Sequence, residues 1–201
     1  MKGFSLREAA AIAEIPESQI RSAIEKRSVS PQASRVGKST RYEFDLNELL
    51  FMKLMSEFPF SLPKPDKDSL RQLLGKPSGS AGRWKLNGAD LSLKEGELAV
   101  TVHYRPLQER LVQNATLYRE GLSRIVSDPD TLGGEPVFAG TRIPLQHIAG
   151  LVRKGVSRTE IHEDYPSLND SDLAFASIHA RMSPPPGRPR KHLELKRGKA
   201  A

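Results

Sequence analysis

The chain is predicted to fold as a mostly helical α+β protein, on three observations. Helix-start patterns recur along it: Ser5-Leu-Arg-Glu8, Asp45-Leu-Asn-Glu48 and Ser157-Arg-Thr-Glu160 each set a side-chain acceptor three residues before a Glu, the reciprocal capping arrangement. Apolar residues alternate at period two in only one region, Trp84 to Tyr104. Short apolar stripes at helical spacing occupy both ends of the chain.

Composition sets the limits. At 201 residues and 37% apolar content, the chain can bury a sizeable core, as one domain or two to three small ones. It contains no run of 18 apolar residues, so no membrane span is expected. The opening MKGFSLREAA lacks the apolar core of a secretory signal, which points to the cytoplasm. With zero cysteines, disulfides and thiolate metal sites are excluded. His162-Glu163-Asp164 reads as a solvated helix end, so no metal site or cofactor is expected. Most of the net charge of +7 lies at the end: seven basic residues from Arg181 onward face Glu194 alone. A near-neutral body with a basic tail suggests a docking arm, or else a solubilising tail.

The first segment, residues 1–58, reads as a winged helix-turn-helix. After the first capping box, Leu6, Ala9, Ala10 and Ala13 share a face. Ile15-Pro16 breaks the chain, and a second helix from about Glu17 to Arg27 buries Ile20, Ala23 and Ile24. The run SVSPQASRVGKSTRYEF forms a strand pair around Gly37, and a third helix follows Asp45 with Leu46, Leu49, Leu50, Met52 and Leu54 inward. With Ile20 and Ile24 inside, Ser18, Arg21, Ser22 and Glu25 face outward, as a recognition helix in a major groove requires. Arg35, Lys38 and Arg41, with Tyr42 alongside, would straddle neighbouring phosphates from the wing. The alternative is a winged fold used only for protein contacts.

Residues 59–82 have the composition of a linker, with four prolines and three glycines, apart from a turn or two of helix in DSLRQLL. Residues 83–124 read as a small antiparallel sheet followed by a helix from Pro106 to about Glu120. The apolar face of that helix is Leu107, Leu111, Ala115, Tyr118 and Leu122. This module would pack the end domains and support dimerisation.

The stretch GGEPVFAGTRIP, residues 133–144, invites a phosphate-loop reading that its spacing refuses. Five residues separate Gly134 from Gly140, and Thr141-Arg142 stands where Lys-Ser/Thr is required. A dinucleotide fingerprint is absent as well. No catalytic constellation appears, so no enzymatic activity is expected. Instead, Gly133 and Gly134 permit positive φ, Val137-Phe138 forms a short strand, Ala139-Gly140 turns it, and Pro144 opens a helix. Arg142 is expected to reach backbone carbonyls or Asp128, Asp130 or Glu135. Residues 125–182 thus form a hairpin and a C-terminal trihelical, helix-turn-helix-like domain, ahead of a disordered basic tail at 183–201.

Two resemblances add to this reading. FSLREAAAIAEIPESQIRSAIEKRSVSP with TRYEFDLNELLFMKLM resembles the MerR-type DNA-binding domain, although Ser22-Ala23 stands where that family has aromatics after its arginine. Asp128-Pro129, Gly133, Gly134, Pro136, Val137, then Gly140, Thr141, Arg142, Ile143 and Pro144, Gly155 to Ser157, and Tyr165 to Leu168 resemble the signature of the domain-of-unknown-function-433 family. The second resemblance implies a type II (VapB-like) antitoxin whose partner is a PIN-like ribonuclease toxin. Joined to a MerR-like head, it implies an antitoxin that represses its own operon, binding operator DNA as a homodimer. A PIN-like nuclease, by that resemblance, holds Mg²⁺ between carboxylates. Arg188, Arg190 or Lys191 of the tail would then enter its acidic cleft. The tail's alternative use is electrostatic contact with DNA, and the chain's alternative role is a stand-alone MerR-like regulator.

Overall fold

Local capping fixes the first turn of the fold. The Ser5 amide donates to Glu8 Oε2 at 2.7 Å, starting α1 (Leu6–Ala13). Glu14 ends α1 in the left-handed region at φ 55°, and Pro16 caps α2 (Glu17–Glu25). The computed structural model describes residues 3–37 and 39–182. A two-stranded hairpin follows, β1 (Gln32–Val36) against β2 (Ser39–Glu43), and then α3 (Leu46–Glu57). An isolated bridge between Phe4 and Phe44 closes this helix-turn-helix and wing into one unit. Asp45 caps α3 by accepting the Glu48 amide at 2.8 Å. Burial, then the nearby Asp45 charge, raises the Glu48 pKa.

The stretch read as linker is ordered. It carries α4 (Lys64–Leu73) and the edge strand β3 (Ser78–Ala81). Its prolines end α3 and open α4, and are not the mark of a flexible chain. Leu70 and Leu73 bury fully, and Asp66 is buried beside Arg83, which donates to it from Nε at 3.0 Å and also from Nη2. The Arg83 hydrogen bond holds the Asp66 carboxyl below its ordinary pKa. Trp84 Nε1 donates to the Asp66 carbonyl at 3.0 Å. At the other end of α4, Arg71 donates to the Ser28 carbonyl and lies 4.5 Å over the Phe51 ring.

The expected small sheet is antiparallel with four strands in the order β3, β4 (Trp84–Asn87), β5 (Asp90–Glu95), β6 (Leu98–His103). Trp84 opposes Leu93 and Leu86 opposes Leu91, so all four point to the buried face, as the period-two pattern requires. Next comes α5 (Arg105–Ser123), which buries Leu111, Ala115, Tyr118 and Gly121. Leu122 was expected on that face. It lies 52% exposed, while Gly121 in the same turn makes the close approach to the buried Phe175 ring.

After β7 (Ile125–Val126), a 3-10 turn at Leu132–Gly134 and β8 (Val137–Phe138), three helices end the described chain: α6 (Leu145–Arg153), α7 (Arg158–Asp164) and α8 (Asp170–Met182). A single cluster of buried apolar side chains runs from Phe4 to Ile178, joining both ends of the chain. Among the described residues, no helix is long and apolar enough to cross a membrane.

The joint between the ends explains one departure from expectation. α1 buries Ala11 and Ile12 as well as Ala9, Ala10 and Ala13, because α5 and α8 cover the side that an isolated unit would expose. Asn114 of α5 donates to the Ile12 carbonyl at 3.0 Å, and Tyr118 Oη donates to Glu8 Oε1 at 2.7 Å. Burial, then this bond, raises the Tyr118 pKa. Arg181 of α8 donates to the Ala11 carbonyl at 3.1 Å and pairs with Glu14 at 2.9 Å. The first basic residue of the tail therefore belongs to the fold.

Candidate nucleic-acid interface

α2 is anchored by Ile20, which is fully buried, and this aims the opposite side of the helix at solvent. Ser18 and Arg21 are exposed there, as expected. Glu17 lies between two guanidiniums, 3.8 Å from Arg7 and 3.4 Å from Arg21. Exposed pairs of this kind contribute about 0–1 kcal/mol, so Arg21 is readily released to a phosphate. Ser22 departs from expectation: it is half-buried and lines a cavity between α2 and α3. A 100° step per residue puts it between the buried stripe and the open face. Gln19 on α2 and Lys26 at its C-cap are exposed as well. Sequence reasoning omitted both, though each falls outside the apolar stripe that located Ser18 and Arg21.

The hairpin stands beyond α2 in the chain with Gly37 at its tip, φ 62°. Its register pairs Arg35 with Thr40 and Ser34 with Arg41. Directly paired residues share a face and neighbours alternate, so Arg35 and Arg41 project from opposite faces. Both are exposed, and neither makes an ion pair with a described residue. Tyr42 shares the Arg35 face but is half-buried against the core, so it anchors the wing instead of offering a free contact. Lys38 lies outside the described residues. So do Arg188, Arg190 and Lys191 of the tail.

The glycine-rich stretch builds a tight hairpin, as its residues predict. Gly133, Gly134 and Gly140 take φ of 65°, 87° and 76°, a region where side chains with a Cβ lose about 1–2 kcal/mol. β8 pairs with β7 through Ile125–Phe138 and Val126–Val137. Thr141 closes the turn: its hydroxyl donates to the Phe138 carbonyl at 2.8 Å and accepts the Ile143 amide at 3.1 Å. The Pro136 carbonyl accepts the Leu145 amide at 2.9 Å, and Pro144 caps α6 from one position before its first residue.

Arg142 corrects an expectation. It is exposed and makes no hydrogen bond or ion pair with any described residue, Asp128, Asp130 and Glu135 included. Thr141 and the backbone already satisfy the turn, which leaves the guanidinium facing water. The structural arginine here is Arg124, which sequence reasoning missed. It grips the buried Asp172 with Nε at 2.6 Å and Nη2 at 2.9 Å, and its own carbonyl accepts the Ala139 amide at 2.8 Å. Asp172 also completes a reciprocal cap with Asn169 at the start of α8, with bonds of 3.1 and 2.9 Å. A signal was present, since Asn169-Asp-Ser-Asp172 has the spacing of a capping box with an amide in place of the hydroxyl.

The fold therefore combines a winged helix-turn-helix with a trihelical unit introduced by a glycine-rich hairpin. Residues 125–180 match the model of the family described as "Protein of unknown function (DUF433)". An uncharacterized protein of Sinorhizobium fredii, y4eO, is 40% identical over 74 residues, covering 37% of this chain and 34% of its own length. The chain thus spans about a third of that curated relative. No solved structure matches significantly.

Proposed function

We propose that the chain is a DNA-binding antitoxin that represses its own operon and neutralises a PIN-like ribonuclease. The observation that carries the DNA-binding part is the α2 face with its wing. Ser18, Gln19 and Arg21 are open to solvent, and two guanidiniums unpaired among the described residues extend from opposite faces of the hairpin. A helix can lay such a face in a major groove while the wing reaches phosphates. The antitoxin part rests on the resemblance of the glycine-rich hairpin and the helices after it to the antitoxin-associated family. In this reading Arg142, exposed on that hairpin, and the basic tail are the groups offered to an acidic nuclease cleft.

Two measurements test it. A labelled fragment of the chain's own promoter should bind with an affinity that falls steeply with salt, and binding no tighter than to random DNA would remove the repressor role. Deleting residues 184–201 should abolish neutralisation of the co-expressed nuclease while leaving the melting transition intact. Full neutralisation by the shortened chain would move the toxin surface onto the trihelical unit.

The second reading, a regulator with no toxin, is favoured by the packing of α8 on α1. That joint makes the C-terminal unit part of the DNA-binding body. An adjacent reading frame encoding a small nuclease separates the two: its presence supports the antitoxin, and its absence supports the regulator.

A further inference from the structure

The N-terminal unit also holds a cavity. It measures about 360 Å³ and opens between α2, the end of α3 and the segment from Phe58 to Leu62. Its floor is apolar and rigid: Ile15, Val29, Phe51, Met52 and Leu62 are all buried. Arg71 holds Phe51 from behind and ties α4 to the Ser28 carbonyl. The opposite wall is adaptable. Met55 and Phe58 are half-buried, and Phe60 is 41% exposed although it stacks 5.5 Å from Phe58. An unbranched thioether and a part-exposed ring adjust to a guest at small cost.

The charge around this cavity has one sign. Lys26, the C-cap of α2, and Lys67 of α4 line it, and no carboxylate does. Neither ammonium group makes an ion pair or hydrogen bond with a described residue. Gln19, Ser22 and Ser28 supply further polar groups. The volume falls within the range of small-molecule sites, about 300–1,000 Å³. An apolar floor with two unpaired ammonium groups and no competing anion fits a ligand with an apolar body and an anionic head.

We propose that this cavity binds an amphipathic carboxylic acid of medium chain length, its tail against Phe51, Met52 and Met55 and its carboxylate between Lys26 and Lys67. Lys26 caps the end of α2 and Lys67 lies on α4, so the head group bridges the two. The single tryptophan of the chain is placed to report the event, because Trp84 lies 5.9 Å from Phe58, ring to ring.

The test is calorimetric titration of the full chain with decanoate below its micelle concentration, with decanol as the uncharged comparison. Saturable binding at one site is expected, with decanol at least tenfold weaker. Trp84 emission should change over the same concentration range. Lys26→Gln and Lys67→Gln should each weaken decanoate about tenfold, the order of one charge-assisted hydrogen bond, and leave decanol unchanged. Lys94→Gln, outside the cavity, should change neither ligand. These exposed or half-exposed positions should leave the melting temperature near that of the parent chain, which shows that each variant is folded. No saturable decanoate binding, equal affinity for decanol, or wild-type affinity in the double lysine variant would each overturn the proposal. Shifts of the Gln19, Ser22 and Lys26 amides in a heteronuclear spectrum locate the ligand, and decanoate shifts confined to other elements would overturn it as well.

Discussion

The two ends of the molecule use the same plan of helix, tight turn and helix, and they spend it differently. In the N-terminal unit, α2 buries one residue fully, Ile20, packs Ala23 and Ile24 partly against the core, and turns its other side chains to solvent or to a cavity. In the C-terminal unit, α8 occupies the last place of a similar trihelical arrangement and buries Leu173, Phe175, Ala176, Ile178 and Ala180 on two sides. Its packing partners are α6, α5 and α1. A helix closed on two sides cannot enter a groove of DNA. In the proposed function α2 would read DNA and α8 would support it, and the hairpin before α6 is the open surface of the C-terminal unit.

The sharpest way to break this division is to undo the joint. A Cβ at Gly121 would lie 2.2 Å from the Phe175 ring, so Gly121→Val must push Phe175 out. Phe175→Ala empties the same place and should destabilise by about 3–5 kcal/mol, as for a buried aromatic. Because the apolar cluster is continuous from α1 to α8, denaturant unfolding followed by Trp84 emission and by helical circular dichroism should remain coincident in both variants. If the N-terminal unit keeps its parent midpoint in Phe175→Ala, the two ends are independent and the shared-core account fails.

That joint also marks the limit of what the sequence made legible. Helices starting at Leu6, Leu46 and Arg158 followed from local capping, and the strands from Trp84 to His103 followed from alternation. Both signals are short-range and survive any tertiary context. Of the ordered stretch 64–81 only the turn or two of helix in DSLRQLL followed, because Pro63 and Pro65 serve equally in a linker and at a helix start. Its order depends on Asp66 meeting Arg83, a partner 17 residues away. In the candidate site, the exposure of Ser18 and Arg21 was readable from the burial of Ile20, and that of Arg35 and Arg41 from their place in the hairpin. The opposite facing of the two wing arginines needed the register, and the cavity under Ser22 needed α3 and α4 together. Arg142 and Arg124 were exchanged, since proximity along the chain favours the former while a bidentate grip 48 residues away decides for the latter.

The wing and the glycine-rich hairpin both carry exposed arginine, Arg35 and Arg41 on one and Arg142 on the other, unpaired among the described residues. If the wing contacts DNA, Arg35→Ala and Arg41→Ala should each flatten the salt slope of log affinity by about 0.9. Arg21→Ala should lower affinity too, while Arg142→Ala leaves DNA binding unchanged. An equal loss from Arg142→Ala would place DNA across both units and cancel the division drawn from α2 and α8. A smaller effect should come from Asn169→Ala. It removes half of the α8 cap and should destabilise by about 1 kcal/mol, read as a lower urea midpoint with the same slope.

The smallest effect concerns acid. His179 lies on α8, 2.9 Å from Gln146 Nε2 and against the Phe175 ring. Burial, and then the positive charge of Arg153, lowers its pKa below the usual value near 6.5. The folded protein therefore binds fewer protons there than the unfolded chain, so stability is full above pH 6.5 and declines as pH falls through the folded pKa. Asp66 has the same sign at lower pH, since its depressed pKa makes its contribution fade as pH falls below about 4. Mild acid should thus loosen the packing of α8. His179→Gln keeps the size and a polar partner for Gln146 but does not titrate, so its midpoint should be flatter than the parent's between pH 7 and 5. Parallel pH curves for the two proteins would show that His179 does not feel the packing of α8, and the contrast between the two helices would then rest on the Phe175 joint alone.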